Sequence, residues 1–335
     1  MSQSTGGVLG IGIIGCGRVV ERRVAPAIGQ SGNSTIAAFC SRDIAKARHF
    51  ADVFGAPGAH MRVEDLLADG RVQAVYIATP NALHADLAVK CLRGGMHVLV
   101  DKPMALSAES AREMIAAAQL AGRRLGVLHQ QRFHPVHLRI LEQARSGRLG
   151  RIHFVRMQMG FWYGQAENWR LRRAESGGGA AMDLGPHALD VLLQLLGLPS
   201  AVDARTYNLH FKAEVEDFAA ARLEFPGGAV ALVDFSYCSH HYGGRIEVFG
   251  CEGTCLADGT LQQAESCRFW LRRGADAQPM EEWPNPSCFP LIIDDFASAV
   301  LEGREPTVSM HDGLAVMRVV DAIYLSAARG TPVTL

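Results

Sequence analysis

The chain has 335 residues, 48% of them hydrophobic and 20% charged, with a formal net charge of −1. That length suffices for two domains with a sizeable core. The charge balance argues against a nucleic-acid partner, and no apolar run approaches the roughly 18 residues of a membrane span. Residues 1–7 carry no basic stretch, and the first apolar run is broken by Gly10, Gly12 and Gly15, which argues against a secretory leader. Eight scattered cysteines read as reduced side chains of a cytoplasmic protein rather than as disulfides or a zinc site; no metal is expected.

Val8 to Ile14 reads as a buried strand, followed by Gly15-Cys16-Gly17-Arg18-Val19-Val20 and a helix to about Gln30. A strand, a Gly-x-Gly turn and a helix form the context of a dinucleotide site. Gly15 permits the tight turn, and Gly17 lets the backbone of residues 15–19 approach a pyrophosphate at the helix N-terminus. The third fingerprint position, usually glycine or alanine, is Val20, whose larger side chain should hold helix and strand slightly apart. Thr35 to Cys40 is the second strand. Its end reads Cys40-Ser41-Arg42-Asp43, with no carboxylate at the tip to bond a ribose 2′-hydroxyl. A hydroxyl and a guanidinium suit a 2′-phosphate instead, so Ser41 and Arg42 point to NADP, with NAD as the alternative. Asp43 is placed to cap a helix from Ile44 to about Phe54.

Ala74 to Ala78 is a further buried strand, turned by Thr79-Pro80-Asn81 into a helix from Ala82 to Arg93 whose first turn holds His84. His84 lies near the expected cofactor edge, although a histidine there can equally be a local hydrogen-bonder. The strand ending at Val100 leads into Asp101-Lys102-Pro103. Pro103 cannot donate to a ladder and restrains the residue before it. Lys102 is therefore expected at the carboxyl end of a strand, the edge where open α/β sheets bind ligands. Lysine is scarce here, only Lys46, Lys90, Lys102 and Lys212, and an amine can exchange a proton where a guanidinium cannot. The plainer reading is a surface lysine in a turn. A helix from Ser107 to Gln119, capped by Ser107, and a strand from Leu125 to His129 follow. Alternating strands and helices predict an N-terminal Rossmann-type, doubly wound parallel sheet over residues 1–129.

Residues 130–335 are expected to form an α+β domain with a large open, mostly antiparallel sheet and closing C-terminal helices. Gln130 to Pro135 marks the crossover, Val136 to Arg145 a helix and Ile152 to Met159 a strand. A loop from Phe161 to Arg173 holds Trp162, Tyr163, Asn168, Trp169 and Arg170. Aromatic faces with polar tips suit a polyhydroxylated ligand, and they also fill oligomer interfaces. After Gly177-Gly178-Gly179, Asp183 and His187 are four residues apart. They are expected on one helical face continued by Asp190, with Pro186 kinking that helix or marking its first turn. Strands are expected at Val202–Leu209, Asp217–Phe225, Ala229–Tyr237, Arg245–Phe249 and Cys267–Leu271, then helices at Leu291–Leu301 and Gly313–Ala328.

These pieces together resemble the glucose–fructose oxidoreductase/inositol dehydrogenase (Gfo/Idh/MocA) family over nearly the whole chain. The marks are Gly15-Cys16-Gly17, Ala78-Thr79-Pro80-Asn81 with His84, Asp101-Lys102-Pro103, where the family's Glu is Asp101, and Gly177-Gly178-Gly179 through Asp183 and His187. The resemblance implies catalytic positions at Lys102, Asp183 and His187. Cofactor contacts are expected from Gly15, Cys16, Gly17, Arg18, Val19, Ser41, Arg42, Thr79, Pro80, Asn81, His84, Asp101 and Lys102, and the resemblance adds Gln131, Trp169 and Arg170. Substrate contacts are expected from Lys102, Arg132, Trp162, Tyr163, Asp183 and His187. Val20 departs from the family pattern, and so does Cys288-Phe289, where relatives often carry a tyrosine.

The expected activity is NAD(P)-dependent hydride transfer to or from a sugar, cyclitol or related hydroxy or keto compound. His187 would act as acid/base, Lys102 would polarise the oxygen, and Asp183 would orient His187 or bond a substrate hydroxyl. Asp183 and His187 could instead be a helix-capping acid and a structural histidine. Rival readings are a non-catalytic NAD(P)-binding regulator and an NAD-dependent glycoside hydrolase of the same fold. A homodimer or homotetramer through the C-terminal sheet is expected, with no membrane or nucleic-acid partner.

Overall fold

The computed structural model describes residues 7–164, 168–240, 243–261, 264–274, 276–277 and 279–335. It divides into two compact units, 1–129 with 287–314 and 130–286 with 315–335. The expected border after residue 129 coincides with this division. Residues 287–314, which the sequence reading assigned to the second domain, group with the first unit.

In the first unit, strands β1 (Leu9–Ile14), β2 (Ser34–Cys40), β3 (Gly58–His60), β4 (Ala74–Ile77), β5 (His97–Val100) and β6 (Leu125–Val127) make a parallel sheet in the order β3-β2-β1-β4-β5-β6. This is the doubly wound dinucleotide-binding order. β1 and β4 are buried along their whole length, as strands covered on both faces must be. The helix Phe289–Glu302 packs against β1 and β2. Its neighbour Asn33 ties it to the sheet by donating from Nδ2 to the Asp294 carbonyl (2.9 Å) and to Ser298 Oγ (2.8 Å).

The helix after β1 is not regular throughout. Val20–Val24 forms a π turn and Ala25–Gly29 a regular α-helix. Pro26 has no N–H to give to the turn before it, and the Ala25 N–H bonds back five residues to Val20. Val20 itself is fully buried at the start of this widened turn. The remaining punctuation follows from local chemistry. Asp43 Oδ1 accepts from the Ala45 and Lys46 N–H groups, capping Ile44–Phe54, and Ser107 Oγ accepts from the Ser110 N–H, capping Ala108–Ala121.

In the second unit, β7 (Ile152–Gly160), β8 (Ala201–Tyr207), β9 (Phe218–Glu224), β10 (Val230–Ser236), β11 (Gly244–Gly250), β12 (Gly253–Asp258), β13 (Ser266–Arg273), β14 (Asp276–Ala277), β15 (Glu281–Pro284) and β16 (Val333–Thr334) are the strands among the described residues. They form one sheet in the order β14-β13-β12-β11-β7-β10-β9-β8-β16, with β15 beside β13. All its pairings are antiparallel except β7 with β10. Burial alternates along β11 and β12, so one face lies in the core and the other is half-exposed. Helices Pro135–Arg145, Ala180–Asp183 and Gly185–Leu196 pack on this sheet.

Candidate functional site

The cofactor-binding candidates of the first unit gather at the carboxyl ends of β1, β2, β4 and β5. The Gly15 N–H donates to the Cys40 carbonyl (2.9 Å), and Gly15 has φ 102°, which a side chain would strain. A Cβ there would stand 2.5 Å from the Ala78 carbonyl oxygen, so β1 and β4 can close up only around glycine. At Gly17 an added Cβ would meet nothing within 4 Å, and the Glu21 N–H donates to the Gly17 carbonyl (3.0 Å) as the helix begins. Gly17 thus leaves open space beside the first N–H groups of a helix, next to Arg18 and Val19, which is what an approaching diphosphate needs. Cys16 is buried, and burial pushes its thiol up to about 11, so it lines the turn as a small neutral group.

At the end of β2, Ser41 Oγ accepts from the Asp43 N–H (3.2 Å), while Arg42 is exposed and has no acidic partner among the described residues. After β4, Thr79 and Pro80 are half-buried and Asn81 is buried; Thr79 Oγ1 is a buried hydroxyl without a protein partner. Polar atoms rarely stay orphaned in a protein interior. Together the open space at Gly17, the unengaged Arg42 and the orphaned Thr79 hydroxyl fit a dinucleotide with diphosphate and sugar hydroxyls.

His84 is fully buried, with Nδ1 2.8 Å from the Pro103 carbonyl and Nε2 3.0 Å from the Thr79 carbonyl. It staples the 79–81 turn to the 101–103 turn, and burial lowers its pKa. Its role in this structure is to join the two turns. Lys102 lies two residues beyond β5, half-buried, and its N–H donates to Asp101 Oδ1 (2.8 Å). The Lys102–Pro103 bond is cis. Asp101 also faces the buried Tyr76 phenol, whose pKa is raised by burial and then by this carboxylate.

In the second unit, Asp183 and His187 do not share one unbroken helix, contrary to the expectation from their spacing. Asp183 ends the short helix Ala180–Asp183, and His187 lies in the first turn of Gly185–Leu196, with Pro186 at its start. Pro186 lacks the N–H that would have continued the ladder, and Leu184 joins the two helices. His187 is buried. Tyr237, just past β10, donates its hydroxyl to Asp183 Oδ2 (2.7 Å), and Arg170 Nε lies 3.7 Å from Asp183 Oδ1. The Tyr237 ring is fully buried and stacks near Tyr163, with centroids 4.7 Å apart. Burial, then the Asp183 carboxylate, raise the Tyr237 phenol well above its usual value, so it stays a proton donor at neutral pH. Arg170 lies over the Trp169 indole (4.4 Å), and Asn168 Oδ1 accepts the Arg170 N–H (3.1 Å).

Arg132 forms a buried ion pair with Asp190, Nη2 to Oδ1 and Nε to Oδ2 (3.2 Å), the two side chains only 9% and 1% exposed. A guanidinium so placed neutralises a buried carboxylate, and breaking the pair would leave an uncompensated charge. Gln131 Oε1 is buried without a protein partner. Trp162 is stacked on His240 (4.2 Å, 16°) and bridges Cys238. Residues 165–167 of the expected aromatic loop, and His241, lie outside the described residues.

Three residues escaped the sequence reading. In the sequence Tyr237 is only the last residue of an apolar run, Ala229–Tyr237. Glu216 and Asp217 are a buried acidic pair immediately before β9. Glu216 Oε1 accepts from the N–H groups of Gly179 and Ala181 (both 3.0 Å) and from the Tyr324 hydroxyl (2.8 Å). It thereby holds the start of the helix that ends in Asp183. The only signal in the sequence was two adjacent acids at the mouth of a strand.

Residues 9–129 match the model of the oxidoreductase family with an NAD-binding Rossmann fold, and residues 137–256 match the GFO/IDH/MocA C-terminal domain. The chain is 32% identical to D-xylose 1-dehydrogenase (NADP(+)) 2 of Haloferax volcanii over 97% of its own length and 99% of the relative's. Among solved structures, aldose-aldose oxidoreductase from Caulobacter crescentus, complexed with glycerol, superposes with TM-score 0.91 at 32% identity, covering 98% of this chain and 100% of that one. KijD10, a 3-ketoreductase from Actinomadura kijaniata in complex with NADP and TDP-benzene, gives 0.87 at 25% identity, covering 95% and 98%. The chain belongs to the GFO/IDH/MocA family of oxidoreductases and is an NAD(P)-dependent enzyme acting on CH–OH groups. No helix among the described residues is long and apolar enough to cross a membrane.

Proposed function

We propose that the enzyme oxidises or reduces a sugar, cyclitol or related polyhydroxylated compound, preferring NADP to NAD. The observation that carries the substrate class is the Asp183 cluster. One carboxylate is held by the Tyr237 hydroxyl on one oxygen and faces the Arg170 guanidinium on the other, beside Tyr163. Such a group of fixed donors and acceptors with an aromatic side suits a ring bearing several hydroxyls. The similarity to a xylose dehydrogenase and an aldose oxidoreductase supports the same class.

The nicotinamide, when bound, accepts or supplies the hydride. The chain's own residues then manage the oxygen and its proton. His187 takes the proton from the substrate hydroxyl or returns it, Lys102 polarises that oxygen and shares the proton, and Asp183 fixes a substrate hydroxyl. Gly15 through Val19, Thr79, Pro80, Asn81, Asp101, Gln131, Trp169 and Arg170 hold the cofactor, and Ser41 and Arg42 select its 2′-phosphate. Arg132, Trp162 and Tyr163 border the substrate. A second copy of the chain covers the half-exposed face of the second unit's sheet, giving a homodimer or homotetramer in the cytoplasm.

Nicotinamide absorbance followed over a panel of aldoses, cyclitols and their keto forms tests this. Cofactor reduction or oxidation with at least one polyhydroxylated compound is expected. Cofactor binding with no net redox change across the panel would overturn it.

A further inference from the structure

The second unit holds a cleft of about 420 Å3 bordered by Trp162, Gly164, Leu171 and the 210–213 loop. Two of its bordering residues, Trp162 and Leu171, are the chain neighbours of Tyr163 and Arg170 of the Asp183 cluster. Its apolar side is aromatic: the Trp162 indole lies 4.7 Å from the His210 ring and 5.3 Å from the Phe211 ring.

The 210–213 loop is fixed from beneath. The Asp217 carboxylate, fully buried, accepts the N–H groups of Leu209 (2.7 Å), His210 (2.6 Å) and Phe211 (2.8 Å). Asn208 Nδ2 donates to the Ala213 carbonyl (2.6 Å) and closes the loop from the other side. Between these anchors Lys212 has φ 48°, the one non-glycine residue in the left-handed region among the described residues. Such a conformation costs energy and persists where its surroundings over-determine it. The surroundings hold Lys212 at the cleft.

Nearby, Arg172 pairs with Glu175 (2.7 Å), the Glu214 carboxylate accepts the backbone N–H of Arg173 (2.9 Å), and the Arg173 guanidinium donates to the Glu214 carbonyl (2.7 Å). Among the described residues Lys212 has no acidic partner, and none of those that border the cleft carries a carboxylate. An aromatic wall with one unneutralised ammonium and an imidazole favours a ring carrying negative charge over a neutral one.

We propose that this cleft is a subsite for an anionic group on the sugar substrate, a carboxylate or a phosphate, bound by Lys212 and His210 with the ring against Trp162 and Phe211. The proposal rests on the substrate reading above and narrows it to acidic sugars or acidic glycosides.

Calorimetric titration of the full-length protein, with and without NADP, tests it with D-glucose, D-glucuronate and D-glucose 6-phosphate as probes. At least one anionic probe should bind about fivefold tighter than glucose, the upper end of what one exposed ion pair supplies. The tighter of the two identifies the group. Lys212→Asn, which tolerates the left-handed backbone and removes the charge, should bring that ratio close to one, while Lys212→Arg should keep it. Equal binding of all three probes, or a preference that survives Lys212→Asn, would overturn the subsite. Because binding is read without turnover, the two claims separate. A Lys212-dependent preference without any redox activity keeps the subsite and sinks the substrate reading. Turnover of neutral sugars with no anion preference does the reverse.

Discussion

Arg42 and Lys102 are both cations at strand ends, but the chemistry asked of them differs. Arg42 is exposed and unengaged, and under the proposed function it attracts the 2′-phosphate of NADP. Arg42→Ala should weaken NADPH binding about tenfold while changing NADH binding little, as read by nucleotide fluorescence titration. Equal losses for both nucleotides, or a native preference for NADH, would remove the case for NADP. Lys102 is half-buried beside Asp101, which occupies the position of the family's Glu. The Asp101 carboxylate accepts the Lys102 N–H at 2.8 Å and so holds the turn. The marks legible in the sequence were those whose chemistry is local: glycines at a tight turn, a proline after a strand, an acid at a helix start. Tyr237 was not legible because its partner Asp183 is 54 residues away, and nothing in an apolar strand says which hydroxyl will find a carboxylate.

Among the elements, the short helix Ala180–Asp183 matters most to the candidate site, and it cannot stand on its own propensity. Four residues form barely one turn, below the length at which a helix sustains itself. Its start is held by Glu216, and a Cβ on Gly178 or Gly179 would collide with the Tyr324 hydroxyl or the Glu216 carbonyl, so this pair of glycines permits the close approach. Glu216→Ala would leave two N–H groups and a phenol in the core without an acceptor. It should cost about 3 kcal/mol in chemical denaturation and depress kcat through Asp183. Glu216→Gln, which retains an acceptor oxygen, should cost less than half as much. Wild-type stability in Glu216→Ala would show that water replaces the carboxylate and that the helix needs no such anchor. Element types in the first unit followed from hydrophobic runs and turn residues, and Ile44–Phe54 with its Asp43 cap fell where expected. The short strands β3, β14, β15 and β16 and the strand β12 were missed. The short ones bury too little to show a periodicity, and β12 alternates with two small residues, Gly253 and Ala257, on its buried side. The break between Asp183 and His187 was foreshadowed by Pro186, whose two readings, a kink or a first turn, the structure resolves in favour of the first turn.

At the scale of the whole molecule, two properties follow from surfaces and burial. The half-exposed face of the second sheet is continuous in register: Phe154 opposes Phe249 and Val230, Arg156 opposes Glu247 and Leu232, and Leu256 opposes Trp270. Phe154 and Phe249 stack at 5.5 Å, and Leu232 is 38% exposed. A face mixing aromatic groups with paired charges suits a second copy, so the solution mass at micromolar concentration should be that of a dimer or tetramer. A monomer mass would count against it. The second property is acid sensitivity. Burial holds His97 of the first unit down at about 4 and His137 of the second at about 3. Both values lie below the unfolded value of 6.5, so on acidification the unfolded chain takes up protons first, and stability falls from about pH 6.5 downward until the folded values are reached. The melting temperature should therefore drop between about pH 7 and about pH 5. His137→Gln should show a shallower slope, and a flat profile would mean these histidines already take up protons in the folded state.

Turnover in Lys102→Arg is the most direct test of the proposed function, in which Lys102 takes part in the proton transfer that accompanies hydride transfer. The arginine keeps the positive charge and cannot release a proton. Steady-state kcat on the substrate identified from the panel, together with cofactor Kd by fluorescence, should show kcat lowered about 10²- to 10⁴-fold with Kd little changed, the size of effect expected of general acid–base catalysis. Near-normal kcat in Lys102→Arg would contradict the account, reducing Lys102 to an electrostatic anchor and leaving the proton to His187 or another group.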